Sequence, residues 1–327
     1  MSESGSLRET IAEHGQSPRS TLLDAVANNE VVGVGECHLT PTGSRALITE
    51  LMPDFKARGI TDLAIEAIPA VSQPALNQLA STGELGDRTQ LPWLTRTNDF
   101  VDMLKAAKRE GIRVHAVDDD TPHQRDMIMT SSIEKILREQ PNSKVLFLVG
   151  ASHLKRGEYA FNNHNYDSFA DRIRHDGHSL FSTVELKPLC DPDYARESLP
   201  ITEPKAFDPH ESATVADQPK ISGGKLGDWD AVIAFPTSQK NQLTFEHSQS
   251  TDANVQEIFE KLILPDAAAL VTDLNMRDTK ITDASLPLIA AKMPKLEQID
   301  LRETAVTAQG VAELRKERPN LKVIGFN

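Results

Sequence analysis

Cysteine is scarce in this chain of 327 residues: there are two, Cys37 and Cys190. They form no Cys-x-x-Cys pair and no zinc-finger spacing, which argues against a disulfide-dense scaffold and a structural zinc ribbon. No stretch reaches the ~18 apolar residues that a membrane-crossing helix needs. Positive charge is in the minority, with 35 Lys and Arg against 48 Asp and Glu and a net charge of −13. A nucleic-acid or anionic-membrane binder needs basic surface to displace counterions, so neither partner is expected. The first ten residues, Met1 to Thr10, hold no apolar core of a signal peptide, and the expected address is cytoplasmic. A P-loop and a Gly-x-Ser-x-Gly elbow are both missing. Gly33-Val34-Gly35 begins like a dinucleotide fingerprint, but His38 stands where the third glycine belongs.

What is present is globular: 39% hydrophobic and 25% charged residues, enough length for a full core and a smaller module. Val31 to Gly35 reads as a buried strand, followed by helical spacing from Thr42 to Phe55 through Leu47, Ile48, Leu51 and Met52. Leu63 to Ile65 is the next strand. Asn98 reads as the N-cap of a helix through Phe100, Val101, Leu104 and Ala107, which Gly111 stops. Ile112 to Val117 is a third strand, Met129 to Leu137 a helix, and Val145 to Val149 the strongest strand. A helix from Tyr166 to His175 and a strand from Leu180 to Leu186 follow. This alternation predicts an α/β fold, a mainly parallel sheet sandwiched by helices.

Two further segments stand apart. The stretch 187–227 carries Pro188, Pro192, Pro200, Pro204, Pro209 and Pro219 and reads as a long irregular insertion, because Asp230 to Phe235 looks like one more strand of the same sheet. In the C-terminal region Leu274, Met276, Thr279, Ile281 and Leu286 recur 25 positions later as Ile299, Leu301, Thr304, Val306 and Val311, without a gap. That period resembles leucine-rich repeats, with a capping helix near Val255 to Leu264. The expected organisation is an α/β domain over 1–247 and a short leucine-rich-repeat module over 248–327, the latter a docking face for a protein partner.

Polar residues collect just after the strands: Glu36 and His38 after the first, Glu66 after the second, Asp118, Asp119 and Asp120 after the third, His153 after the fourth. Ligands of open parallel sheets bind outside the carboxyl ends of the strands. Such a cluster suits a divalent metal, with His38, His153 and Asp118 among its ligands, or a metal-free acid/base set. The blander alternatives are helix capping for the three aspartates and surface polarity for each histidine. Both histidines follow a glycine at the same spacing, in Gly35-Glu36-Cys37-His38 and Gly150-Ala151-Ser152-His153, where the glycine is expected to turn the chain at the strand end. Cys37 beside His38 suggests a nucleophile pair, but adjacent side chains rarely aim at each other, and Cys37 reads as a buried or incidental thiol.

Val34-Gly35-Glu36-Cys37-His38, the strand ending in Glu66, the Arg125-Asp126-x-x-Met129 helix start and Gly150-Ala151-Ser152-His153 together resemble the superfamily of erythromycin esterases, ChaN-like haem-uptake proteins and Tiki/TraB proteins. The likeness covers about residues 20–186 and 226–247. It implies an α/β sheet with a polar site at its carboxyl edge. It also implies His38 and His153 as metal ligands or a base pair, Glu66 as a ligand or water-activating base, Glu36 as a second carboxylate and Arg125 as an anion-pairing group. The activity implied is hydrolysis of an ester or peptide bond in a small molecule or peptide. The alternatives are haem or ligand binding without turnover, and an interaction scaffold acting through the repeats.

Overall fold

The apolar run at Val31 forms a strand, β1 (Val31–Glu36), in which all six residues are buried. A strand buried on both faces needs neighbours on each edge and helices above and below. The computed structural model describes residues 6–37, 43–82, 91–92, 95, 97–119, 124–140, 142–161, 164–187, 203–216, 219–220, 224–236, 242–262 and 268–326. Helices α1 (Leu7–His14) and α2 (Pro18–Asn28) precede β1, and α3 (Ser44–Ala57) follows it. Next come β2 (Asp62–Pro69), α4 (Gln73–Thr82), α5 (Asn98–Arg109), β3 (Arg113–Asp118), α6 (Arg125–Glu139) and β4 (Val145–Gly150). An antiparallel hairpin of β5 (Tyr159–Phe161) and β6 (His164–Tyr166) leads to α7 (Phe169–His175) and β7 (Leu180–Leu186). β8 (Lys205–Phe207), the short pair β9 (Pro219–Lys220) and β10 (Gly224–Lys225), and β11 (Ala231–Ala234) complete this part.

The main sheet has the order β3-β2-β4-β1-β7-β11-β8. Every pairing is parallel except β11 with β8. Side chains alternate faces along a strand, and the core divides accordingly. Val32, Val34, Leu146 and Leu148 pack with Leu51, Phe55, Phe100 and Leu104 of α3 and α5. Val31, Val145, Phe147 and Val149 pack with Met129, Ile133 and Phe169 of α6 and α7 on the opposite face. The expected α/β sandwich is therefore present. No helix among the described residues is long and apolar enough to cross a membrane.

Three local expectations change. Thr97, not Asn98, takes the N-cap position of α5, with Asn98 the first helical residue. Tyr166 ends β6, and the following helix starts at Phe169, capped by Ser168, whose hydroxyl accepts the Asp171 N–H. The proline-rich segment is not wholly irregular, because β8 pairs antiparallel with β11 at the sheet edge. The part of it spanning 188–202 lies outside the described residues.

Beyond the main sheet, β12 (Gln242–Thr244), β13 (Asp273–Asn275), β14 (Gln298–Asp300) and β15 (Lys322–Ile324) form a second, parallel sheet in chain order. Leu243, Leu274, Ile299 and Val323 stand in register and share one apolar cluster with Val271, Ile281, Ile289 and Leu314. The 25-residue recurrence of Leu274 at Ile299 thus corresponds to neighbouring strands. Gln242 pairs with Asp273, 31 positions on, so an ungapped 25-residue comparison passes over β12. The second sheet accordingly begins before residue 248.

Successive units are pinned by aspartates. Asp252 accepts the Thr282 N–H at 2.9 Å and its hydroxyl at 2.8 Å. Asp283 does the same for Thr307 at 2.7 and 2.6 Å. At the next equivalent position the chain has Ala308, so the clamp is not repeated. A Cβ on Gly310 would lie 2.2 Å from Asp283 Oδ1, which explains that glycine. Asp283→Ala is expected to lower stability by about 1–2 kcal/mol in chemical denaturation, the range for a lost cap and charge-assisted bonds.

Candidate active site

Because β3, β2, β4, β1 and β7 are adjacent and parallel, their carboxyl ends share one rim. Asp118 ends β3, Glu66 lies in the last half of β2, and Glu36 ends β1 in register with Gly150 of β4. After Gly150 the chain makes a single tight helical turn, Ala151–Leu154, which carries His153.

Four predicted residues meet there. Arg125, the first residue of α6, donates from Nη2 to Glu66 Oε1 at 2.7 Å and from Nε and Nη2 to the two Asp118 oxygens at 2.9 and 2.5 Å. His153 Nε2 lies 3.2 Å from the same Glu66 Oε1. Glu66 Oε2 accepts the Gly150 N–H at 2.5 Å, which ties β2 to the turn. His153 Nδ1 is 2.9 Å from Asp126 Oδ1, and that oxygen also accepts the Phe169 N–H at 2.7 Å. Glu66, Asp126 and His153 are buried, while about a third of the Arg125 side chain reaches solvent (32%).

Electrostatics fix the protonation of the imidazole. Burial disfavours its charged form, but the Glu66 charge and the bond to Asp126 outweigh burial and push His153 up to about 10. Both ring nitrogens then donate. Asp118 moves the other way from a simple ion pair: burial raises it, and Arg125 offsets only part of that. The His153 shift has a consequence for stability. The imidazolium contributes fully below the unfolded-state value of 6.5, and its contribution is lost as pH rises through the folded value near 10. Denaturation midpoints measured from pH 6 to 10.5 are expected to fall more steeply for the wild type than for His153→Gln. Parallel profiles would refute the assignment.

A second charged pair flanks the first. Glu36 accepts Arg45 Nε and Nη2 on separate oxygens, both at 2.8 Å, and each side chain is 3% exposed. Asp99 of α5 stands 3.4 Å from Arg45 Nη1. Desolvation opposes the charge of Arg45, yet Glu36, Asp99 and Glu185 hold it fully protonated. Glu185 of β7, also buried, accepts the Cys37 N–H at 2.5 Å and the Ser44 hydroxyl at 2.7 Å, and pairs with Lys187 at 3.0 Å. Arg45, Glu185 and Lys187 are not among the residues that the sequence pattern singles out. Their signal was an acid between Val184 and Leu186 inside an apolar strand, and a base at the buried start of an amphipathic helix.

Other expectations are placed as follows. His38 and Asp120 lie outside the described residues. Asp119 is exposed, and its backbone N–H donates to Asp118 at 2.8 Å. Cys37 is not an incidental thiol: it is disulfide-bonded, and the one other cysteine of the sequence, Cys190, lies outside the described residues. Neither strand-end glycine turns the chain through a left-handed conformation. Gly150 has φ −57°, and Gly35 is not among the residues of positive φ. Gly35 is required by close approach, since a Cβ there would lie 2.4 Å from the Thr183 carbonyl oxygen.

Of the expected metal ligands, His153 and Asp118 are among the described residues and His38 is not. Both nitrogens of His153 face carboxylates, and Arg125 already occupies the space between Glu66 and Asp118 that a cation would take. Among the described residues no three His, Cys, Asp or Glu side chains are grouped to hold a metal ion.

No protein-family model and no curated protein matches the sequence. Solved structures do. A succinoglycan biosynthesis protein aligns over 71% of this chain and 98% of its own, with TM-score 0.53 and 10% identity. A Bacillus cereus protein aligns over 69% of this chain and 95% of its own, with TM-score 0.51 and 10% identity. RRSP, a MARTX toxin effector domain from Vibrio vulnificus, aligns over 51% of this chain at TM-score 0.37 and 17% identity, and this chain spans only 36% of its length. The first two likenesses show a shared α/β fold.

Proposed function

We propose that this protein is a hydrolase of ester or peptide bonds that works without a metal at the carboxyl rim of the main sheet. The observation that carries this reading is the convergence of Glu66, Asp118, Arg125 and His153, from three adjacent parallel strands and α6, on one partly open rim. In the proposed reaction Glu66 takes a proton from water as the oxygen attacks the carbonyl carbon. Arg125 steadies the negative charge that gathers on the carbonyl oxygen. The carbon–oxygen or carbon–nitrogen bond then breaks and the leaving group takes up the proton. His153 keeps a positive charge beside Glu66, and Asp126 fixes the ring. Glu36, held by Arg45, is the second carboxylate of the rim. His38 retains the role that the superfamily resemblance implies, as the partner imidazole.

The test is an assay of the purified full chain on p-nitrophenyl esters and fluorogenic peptides, with and without a chelator. Turnover that survives chelation and is lost in Arg125→Met supports the reading. Turnover that a chelator abolishes and zinc restores would replace it with the metal-dependent one.

We also read residues from about 242 to 326 as a short leucine-rich-repeat module that docks a protein partner. Its parallel strands and separate apolar cluster favour this second role. A pull-down that compares the full chain with its Asp283→Ala variant tests it.

A further inference from the structure

The turn that carries His153, Ala151–Leu154, is four residues long. So short a helical turn does not hold its own geometry, and its carbonyl groups need outside donors. Its surroundings supply the support. A Cβ on Gly33 would lie 2.5 Å from Leu154 Cδ2, and one on Gly35 would lie 3.0 Å from Ala151 Cα, so the turn rests directly on β1. Trp229, fully buried in the same apolar cluster as Ala151 and Leu154, donates its Nε1–H to the Ala151 carbonyl at 3.1 Å. One residue earlier, the Asp228 carbonyl accepts the Arg156 N–H at 2.8 Å, just past the turn.

Both residues lie just after the proline-rich insertion, where the chain returns to β11. The return is itself keyed to the insertion. A Cβ on Gly227 would meet Ala216 Cβ at 2.9 Å, so the tight turn Leu226–Asp228 sits against the helical turn Ala213–Ala216.

We propose that Trp229 is a positioning residue for the candidate site: its indole N–H fixes the turn that carries His153, and so sets the imidazole between Asp126 and Glu66. A buried tryptophan needs some acceptor for its N–H. What makes this one consequential is which carbonyl it reaches, the first of the turn, two residues before the imidazole. The segment that follows the insertion is thereby joined to the turn by a hydrogen bond that the sequence pattern does not reveal. Only the turnover arm of the following test rests on the hydrolase reading.

The experiment uses the full chain with 3-benzothienylalanine at position 229, which replaces the indole N–H by sulfur and leaves the packed volume almost unchanged. Trp229→Phe serves as a genetically simple second variant. The His153 ring signals are followed by NMR in histidine-labelled protein, and kcat and KM are measured on a p-nitrophenyl ester. We expect shifted imidazole N–H signals, faster exchange of those protons with solvent, kcat lower by about tenfold and KM within about twofold, as for loss of one orienting hydrogen bond. Imidazole signals and exchange identical to the wild type would overturn the proposal. If the wild type turns over no ester, the hydrolase reading falls, and the imidazole signals still decide the role of Trp229.

Discussion

Replacing Arg45 by methionine is expected to cost the fold about 3–5 kcal/mol at neutral pH, the range for breaking a buried ion pair from one side. The reason lies in what is left behind. Glu36 is as buried as its partner, and both of its oxygens accept from Arg45. Methionine fills much of the volume and keeps contact with Phe100, over whose ring the guanidinium now stands at 5.1 Å. It offers no charge, so the carboxylate stays buried with its bonds from Arg45 gone. The deficit should be largest at neutral pH, where the buried carboxylate is ionised, and smaller in acid. A Glu36→Gln, Arg45→Met double variant should recover most of the loss, because replacing both charges removes the stranded one. The measurement is urea denaturation at pH 4 and pH 7. An Arg45→Met protein within 1 kcal/mol of the wild type at pH 7 would show that the pair is not holding the rim.

How much of this was legible in the sequence follows from range. The strands and helices of the first part were readable because each is declared by its own residues: Val145 to Val149 is apolar throughout, and α5 spaces Phe100, Val101 and Leu104 on one face. The rim residues were readable too, since a charge placed just after an apolar strand falls at a sheet edge whatever the strand order. Their partners were not. Arg45 reaches Glu36, Glu185 reaches Ser44, and Trp229 reaches Ala151 only after the crossovers bring β1, β4, β7 and β11 side by side. Gly35 illustrates the same limit. Its local pattern suggested a turn, while the constraint is a carbonyl of Thr183 nearly 150 residues away in sequence. The first strand of the second sheet was missed for a different reason, an insertion that breaks the 25-residue period.

Glu66→Gln is expected to lower kcat roughly a hundred- to ten-thousandfold with little change in KM, the range for loss of a general base. The substitution keeps the shape of the side chain and removes its charge, so it separates chemistry from packing. Glu66 joins Arg125 and His153 on one oxygen and accepts the Gly150 N–H on the other. Without its charge the largest support for the imidazolium is lost, and His153 should fall from about 10 towards its ordinary value. A loss of turnover from misfolding would carry no such signature. The decisive pair of measurements is therefore turnover on the ester that the wild type cleaves and the NMR titration of His153 in the same variant. Loss of both places Glu66 at the chemical step and at the electrostatic centre of the rim. A variant that keeps more than about half of its turnover leaves Glu66 with only the structural task of tying β2 to the turn after β4. The water-activating base would then have to be sought in Glu36, whose carboxylate meets the same rim from the other side of β4.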